Sequence, residues 1–309
     1  MTGRLKNNSG FALILTLVVT ALMVAVVVEM IHQVYVDTSL SRGFRDGQQA
    51  SILAESGATG GAKLLQIGLS TQTYTSLSDR WATPFKVEDE VGSLEITISE
   101  ESGKIYVNEL VQPNGTDGLF LPALKRLGTL LEMREDPWAA TADWIDLGES
   151  PLSGGAESAY YRTLKPPYSA RNGRLMTLTE LSLIKGFTPG MLDKLRPYLT
   201  IYPDQVNSPL VNINTASKEV LAALDDRIDA RLAEQIVEER RLQPFKSTGE
   251  LSRVTGMGAI ATDLIGKISV QGHLFRIKSI ARVKDSVRTV ETVVRMSGRA
   301  TDILLWQEY

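Results

Sequence analysis

Four carboxylates, Asp143, Asp146, Glu149 and Glu157, are strung along residues 143–161 (DWIDLGESPLSGGAESAYY), a stretch rich in Gly, Ser and Pro. Carboxylates spaced along a loop can gather around one hard cation, with backbone carbonyls completing the shell. Calcium suits such a site better than magnesium, because several protein oxygens can join a flexible shell. The same residues equally describe a solvated acidic loop in which Asp143 or Glu149 caps a helix. A second group with chemical potential spans residues 210–224 (LVNINTASKEVLAAL), 233–240 (AEQIVEER) and 244–251 (PFKSTGEL). Thr215 or Ser217 can cap a first helix there, and Leu221, Leu224, Leu232 and Ile236 form an apolar seam.

Catalytic signatures do not accompany these groups. The chain has no P-loop, no H-E-x-x-H, no G-x-S-x-G and no G-x-G-x-x-G at a strand–helix junction. It has no cysteine, which excludes disulfides, thiolate metal sites and cysteine nucleophiles. Its two histidines, His32 and His273, are too few for a multi-histidine metal centre and read as surface or core residues. Trp138, Trp144, Tyr160, Tyr161 and Tyr168 read as core of a helical region, or as anchors of a contact surface. The formal charge of −3 disfavours strong nonspecific binding to nucleic acid.

The elements that position these residues follow from hydropathy. Residues 11–28 (FALILTLVVTALMVAVVV) hold no charge. As a helix this run is about 27 Å long and just spans a hydrocarbon core of roughly 30 Å. Arg4 and Lys6 precede it, so the positive-inside rule leaves residues 1–10 in the cytoplasm and everything after about residue 30 outside the inner membrane. The helix is expected to continue to residue 67, with Gly43, Gly47, Gly57, Gly60 and Gly61 as points of weakness or bending. Residues 70–85 read as a loop. Strands are expected at 87–91 and 94–99, with a hairpin turn at 101–103 and a return strand at 104–108. Residues 119–270 read as mainly helical, including 121–131, 138–145 and 179–184. Residues 273–309 return to strand alternation, with 303–306 as an edge strand. The fold class is therefore α+β, an N-terminal transmembrane and stalk helix with an antiparallel sheet interrupted by a large inserted α-helical domain. The expected divisions are 1–10, 11–67, 68–118, 119–270 and 271–309.

The junction Ser9-Gly10-Phe11-Ala12-Leu13, a short basic leader ending in Gly before Phe and an apolar helix, resembles the class III signal of type IV pilins and type II secretion pseudopilins. The resemblance implies that a prepilin peptidase cuts between Gly10 and Phe11 and methylates Phe11. Removal of the leader takes away Arg4 and Lys6 and leaves the chain more acidic. Most of that family carries Glu at the fifth mature position, where this chain has Leu15. That Glu pairs with the terminal amine of a neighbouring subunit. Its replacement suits the end of a filament, and among pseudopilins it is typical of minor pseudopilin K.

Three further stretches resemble the same K family. ITISEESGKIYVNEL resembles the start of its head. The DW-x-D and GAE-x-x-Tyr-Tyr words resemble its α-domain, which is associated with calcium, although related sequences commonly have a further Asp where this chain has Leu147. Residues 210–251 resemble helix-hairpin-helix, or SAM-like, modules, including those of DNA-uptake proteins. DNA-binding versions present a Gly-rich hairpin to phosphate. The matching turn here, 225–229 (DDRID), has no Gly and three carboxylates. Two other hairpin-like turns lie at 186–190 and 256–258; Lys185, Lys194 and Arg196 flank the first, but no continuous basic stripe appears. The resemblance implies a non-enzymatic, single-pass inner-membrane protein at the tip of a secretion pseudopilus. Implied partners are minor pseudopilins I and J, other pseudopilins, the prepilin peptidase, the outer-membrane secretin and exported substrate. Alternatives are a membrane-anchored DNA-binding or uptake module and a minor pilin of a type IV pilus. Replacing Gly10 by Val is expected to block leader removal and secretion. Mass measurement of the purified chain checks this: a mature chain starting at Phe11 in the variant contradicts it.

Overall fold

The structure is a computed structural model that describes residues 9–112, 116–204, 210–298 and 300–309; the leader cations Arg4 and Lys6 lie outside the described residues. It opens with helix α1, Ser9–Leu69, whose 61 residues make a rod of about 92 Å. From Gly10 to Arg45 every residue of α1 is exposed. The apolar window of a membrane-spanning helix falls in this half.

The upper half lies on a sheet. Its strands are β1 (Phe85–Glu88) and β2 (Ser93–Glu100), then, after a long excursion, three more. The excursion contains β3 (Ile105–Tyr106), α2 (Leu121–Leu130), α3 (Trp138–Ile145), α4 (Ser158–Tyr161), α5 (Pro189–Leu195), β4 (Leu199–Thr200) and β5 (Val211–Asn212). It continues with α6 (Lys218–Leu224), α7 (Ala230–Leu242), α8 (Gly258–Asp263) and β6 (Ile268–Ser269). The sheet then resumes with β7 (Leu274–Val283), β8 (Ser286–Ser297) and β9 (Ala300–Glu308). Its order is β1-β2-β7-β8-β9, antiparallel throughout, with a bulge between Val293 and Val294 where β8 meets the edge strand β9.

The glycines expected to weaken α1 do not interrupt it. Several mark where it approaches the sheet. Ala50, Ala54 and Ala58 are fully buried. A Cβ on Gly57 would lie 2.3 Å from Ser279 Oγ, and one on Gly61 3.1 Å from a methyl of Ile277. Above them Leu65 packs with Ile96, Ile98, Phe275, Ile277 and Val294. The helix loses some intrinsic propensity at each Gly. In return its axis comes close enough for the sheet to bury apolar surface.

The expected hairpin of 94–99 with 104–108 does not form. β2 pairs instead with β7, ending at Glu100 opposite Phe275. Ile105 and Tyr106 pair in parallel with Leu199 and Thr200 inside the excursion. The reason is burial: Ile105, Tyr106, Val107 and Asn108 are all buried, whereas a strand half-covered by α1 would expose alternate residues. The chain thus leaves the sheet after Glu100, earlier than the expected border at 118, and rejoins it at Leu274. One continuous apolar core, running from Ile105 to Ile268, holds the excursion together. Asp46 of α1 accepts from Lys284 Nζ at 3.0 Å in the β7–β8 turn, while Leu65 packs beside Ile98 and Phe275. The inserted helical unit therefore sits at the end of the sheet farthest from the membrane helix.

Replacing Gly57 by Val is expected to force helix and sheet apart, at about 1–3 kcal/mol or more of overpacking. Gly60→Ala, where nothing lies within 4 Å of the new Cβ, is expected to be neutral or to stabilise by up to about 1 kcal/mol. Thermal unfolding of the two variants checks the contrast.

Candidate functional site

The carboxylate loop takes its geometry from the end of α3. Asp143 lies in its last turn and Asp146 directly follows it. Asp143 is fully buried, and its two oxygens lie 3.1 and 3.2 Å from the amide N–H of Leu152, which donates to them. The loop closes over this carboxylate only because residue 155 is Gly: a Cβ there would sit 1.9 Å from Asp143 Oδ2. Asp146 accepts from the Gly148 amide at 2.8 Å. Glu157, just before α4, is buried, and neither of its carboxylate oxygens has a hydrogen-bond donor. One oxygen from each of Asp143, Asp146 and Glu157 lies within 4.8 Å of the others.

Glu149 stands outside this trio. Its Oε1 accepts from Ser158 Oγ at 3.2 Å and Asn172 Nδ2 at 3.0 Å, so it braces the loop from outside. Leu147 is exposed and contributes nothing to the cluster. Lys185 donates to the carbonyls of Gly155 and Gly154 at 3.1 and 3.4 Å and lies 5.3 Å from the Tyr160 ring centroid.

The electrostatics follow from this packing. Burial pushes Glu157 up to about 7, and the carboxylates of Asp143, Asp146 and Glu149 add to the shift. Burial also raises Asp143. Buried like charges with unmet lone pairs are costly. A divalent cation or a proton relieves them. The donor set of hard oxygens fits a calcium-type ion, and the orphaned oxygens of Glu157 are the feature that asks for one.

The neighbouring aromatics are structural. Trp144 meets Tyr161 edge-on at 5.1 Å, Tyr161 stacks on Tyr168 at 5.2 Å, and Trp138 meets Phe187 edge-on at 6.0 Å. Together they wall the core behind α3.

In the helix-hairpin-helix segment Ser217 caps α6, accepting from the Val220 amide at 3.2 Å. Leu221, Leu224, Leu232 and Ile236 are buried, as a seam requires. The turn between α6 and α7 spends its polar groups on itself. Asp225 accepts from the Arg227 amide at 3.1 Å and from its guanidinium at 2.8 Å. That guanidinium holds the Asp225 carboxyl below its usual range. Asp229 accepts from the Leu232 amide at 2.7 Å and caps α7. Amides that would cradle a phosphate therefore already serve carboxylates.

Gly10 and Phe11 lie in the first turn of α1, exposed, with open space around Gly10. Leu15 is likewise exposed in the apolar half.

A second polar cluster, marked by no sequence motif, lies between the sheet and the inserted unit. Thr215 does not cap α6; its hydroxyl donates to Glu100 Oε1 at 2.8 Å. His273 pairs with Asp204 at 3.2 Å. A signal was present, since Glu100 continues the inward alternation of Ile96 and Ile98.

Two family models, both described as Type II secretion system protein K, match residues 103–204 and 211–271. Type II secretion system protein K of Pseudomonas aeruginosa (strain PAO1) is 29% identical over 82% of this chain and 79% of its own length. The protein of the same name from Pectobacterium carotovorum subsp. carotovorum is 26% identical over 97% and 96% of the two chains. A chain in the crystal structure of the GspK-GspI-GspJ complex from the enterotoxigenic Escherichia coli type 2 secretion system superposes with a TM-score of 0.71 at 22% identity. The superposition covers 87% of this chain and 99% of that one.

Proposed function

This chain belongs to the family of type II secretion system protein K, and on that premise we propose that it is a structural minor pseudopilin seated at the tip of the pseudopilus. The observation that carries the reading is the place of the inserted unit. It is stacked on the end of the sheet farthest from the membrane helix, where the next subunit of a repeating shaft would have to sit. Leu15 supports it: an apolar residue stands where a shaft subunit needs a carboxylate to pair with its neighbour's amine. The exposed lower half of α1 anchors the chain in the inner membrane and supplies a long apolar surface for neighbouring stalks. The head works in the periplasm without turnover. It initiates assembly, transmits push to exported protein and meets the secretin. By analogy with the E. coli complex, its immediate partners are minor pseudopilins I and J, with other pseudopilins below. The prepilin peptidase processes it between Gly10 and Phe11. Gold labelling of the inserted unit on isolated pseudopili tests the tip position. Label at one filament end is expected, and label along the shaft refutes it.

We further propose that Asp143, Asp146 and Glu157 hold one calcium ion, with Glu149 bracing their loop. Bound there, the cation would neutralise charge in the buried trio and tie the end of α3 to the start of α4. Calorimetry of the full chain in detergent is expected to show heat with calcium and a raised unfolding temperature at millimolar calcium. Glu157→Gln, which keeps the shape but removes a charged ligand, is expected to weaken binding by at least tenfold. Absence of heat and of a thermal shift in the unsubstituted chain refutes the site.

A further inference from the structure

Two crossings join the sheet to the inserted unit, residues 100–103 outward and 271–274 on return. Both pass through one buried polar cluster. Glu100, at the end of β2, is buried. Its Oε1 accepts from Asn212 Nδ2 at 2.7 Å and from Thr215 Oγ1 at 2.8 Å, both in the inserted unit. Its Oε2 has no hydrogen-bond partner. Asn212 Nδ2 also donates to Thr75 Oγ1 at 2.7 Å, on the segment that follows α1. The same hydroxyl oxygen accepts from the Gly272 amide at 2.8 Å, and the Thr75 amide donates to the Val270 carbonyl at 2.9 Å. A Cβ on Gly272 would lie 2.1 Å from Glu100 Oε1, so only Gly lets the returning strand pass.

The second half of the cluster is Ser102, Asp204 and His273. Ser102 Oγ donates to Asp204 Oδ1, which also accepts from the His273 amide at 2.7 Å. Asp204 Oδ2 is paired with His273 Nδ1 at 3.2 Å. Arg240 of α7 is buried nearby and donates to the Ile213 carbonyl. The charged groups facing Glu100 are thus Asp204, His273 and Arg240. Glu101 is held apart by Lys104 at 2.6 Å and Arg276 at 2.9 Å.

We propose that this cluster is a proton-tightened joint, which fixes the inserted unit on the sheet in mildly acidic surroundings and frees it as the pH rises. The geometry supplies the lock, because stalk segment, sheet and insert all contribute groups to one hydrogen-bonded centre. The titration follows from burial. Burial lifts Glu100 from 4.5 to about 7, outweighing the hydrogen bonds from Asn212, Thr75 and Thr215 that favour its charged form, and the Asp204 charge adds to the rise. The hydrogen bond to Asp204 lifts His273 above its ordinary 6.5. Both groups therefore hold their protons more tightly in the closed joint than in an open one. Their contribution is complete below the ordinary values and is lost as the pH rises through the raised ones. For Glu100 the opening constant climbs by up to about tenfold per pH unit across that window.

The test is hydrogen exchange at the amides of residues 271–274 in the full chain, in detergent and saturating calcium, corrected for intrinsic rates at pH 5.5, 6.5 and 7.5. Protection is expected to fall with pH. Glu100→Gln is expected to exceed the protection of the unsubstituted chain by about tenfold at pH 5.5 and by a larger factor at pH 7.5, whereas Glu100→Ala loses protection at both. A pH dependence unchanged by Glu100→Gln, or protection that rises with pH, overturns the proposal. Paired spin labels on β9 and α7 give a second reading in the chain with Glu100 intact. A distance distribution that broadens with pH supports the joint, and one that stays constant overturns it.

Discussion

The close seating of α1 on the sheet is the contact on which the rest of the molecule depends. Ala50, Ala54 and Ala58 turn toward the strands, Gly57 leaves no room for a Cβ, Gly61 lies close against Ile277 and Ile96, and Leu65 closes the apolar layer above them. Bulkier residues there would lift the helix and open the inner face of β2, β7 and β8 to water. Much of the remaining surface of α1 is unsatisfied by its own chain, including Phe11, Leu22, Val26, Ile31, Tyr35 and Phe44. A helix this apolar is stable in water only when something covers it. The membrane covers the lower part, and neighbouring stalks suit the stretch above.

The insertion imposes its own order on folding. β2 and β7 are neighbours in the sheet yet are separated in sequence by the whole helical unit. Closing so long a loop is entropically costly if the loop is unstructured. The inserted unit has its own continuous core, so once folded it brings residues 100 and 274 together at little further cost. The buried groups at the crossings then have a second use: Asn212, Thr215 and Thr75 satisfy polar atoms where backbone must pass between two apolar cores.

What the sequence made legible was whatever depends on local pattern. The uncharged run from Phe11, the alternation in β7 and the turn-rich carboxylate loop each announce themselves within about ten to twenty residues. Asp143, Asp146, Glu149 and Glu157 were readable together as carboxylates strung along one loop, but spacing alone did not say which of them converge or that Glu149 stands apart. Partner choice was not legible. Residues 104–108 have strand character, but nothing in them says that Leu199 rather than β2 lies alongside. The joint was least visible, because Thr75, Glu100, Asp204, Asn212 and His273 come from four separated stretches of the chain and each alone looks ordinary.

The unbroken length of α1 makes the molecule a screw. The sheet grips the rod near Ala54, so the compass direction of every side chain in the bilayer, Leu15 included, is set from far above. One residue added or removed between the membrane and that grip would turn the head by about 100° and move it about 1.5 Å along the axis. A change of seven would nearly restore its bearing, to within about 20°. Which neighbour the head faces is therefore a matter of counting residues in the stalk, and natural variation in its length should come in steps that preserve this azimuth.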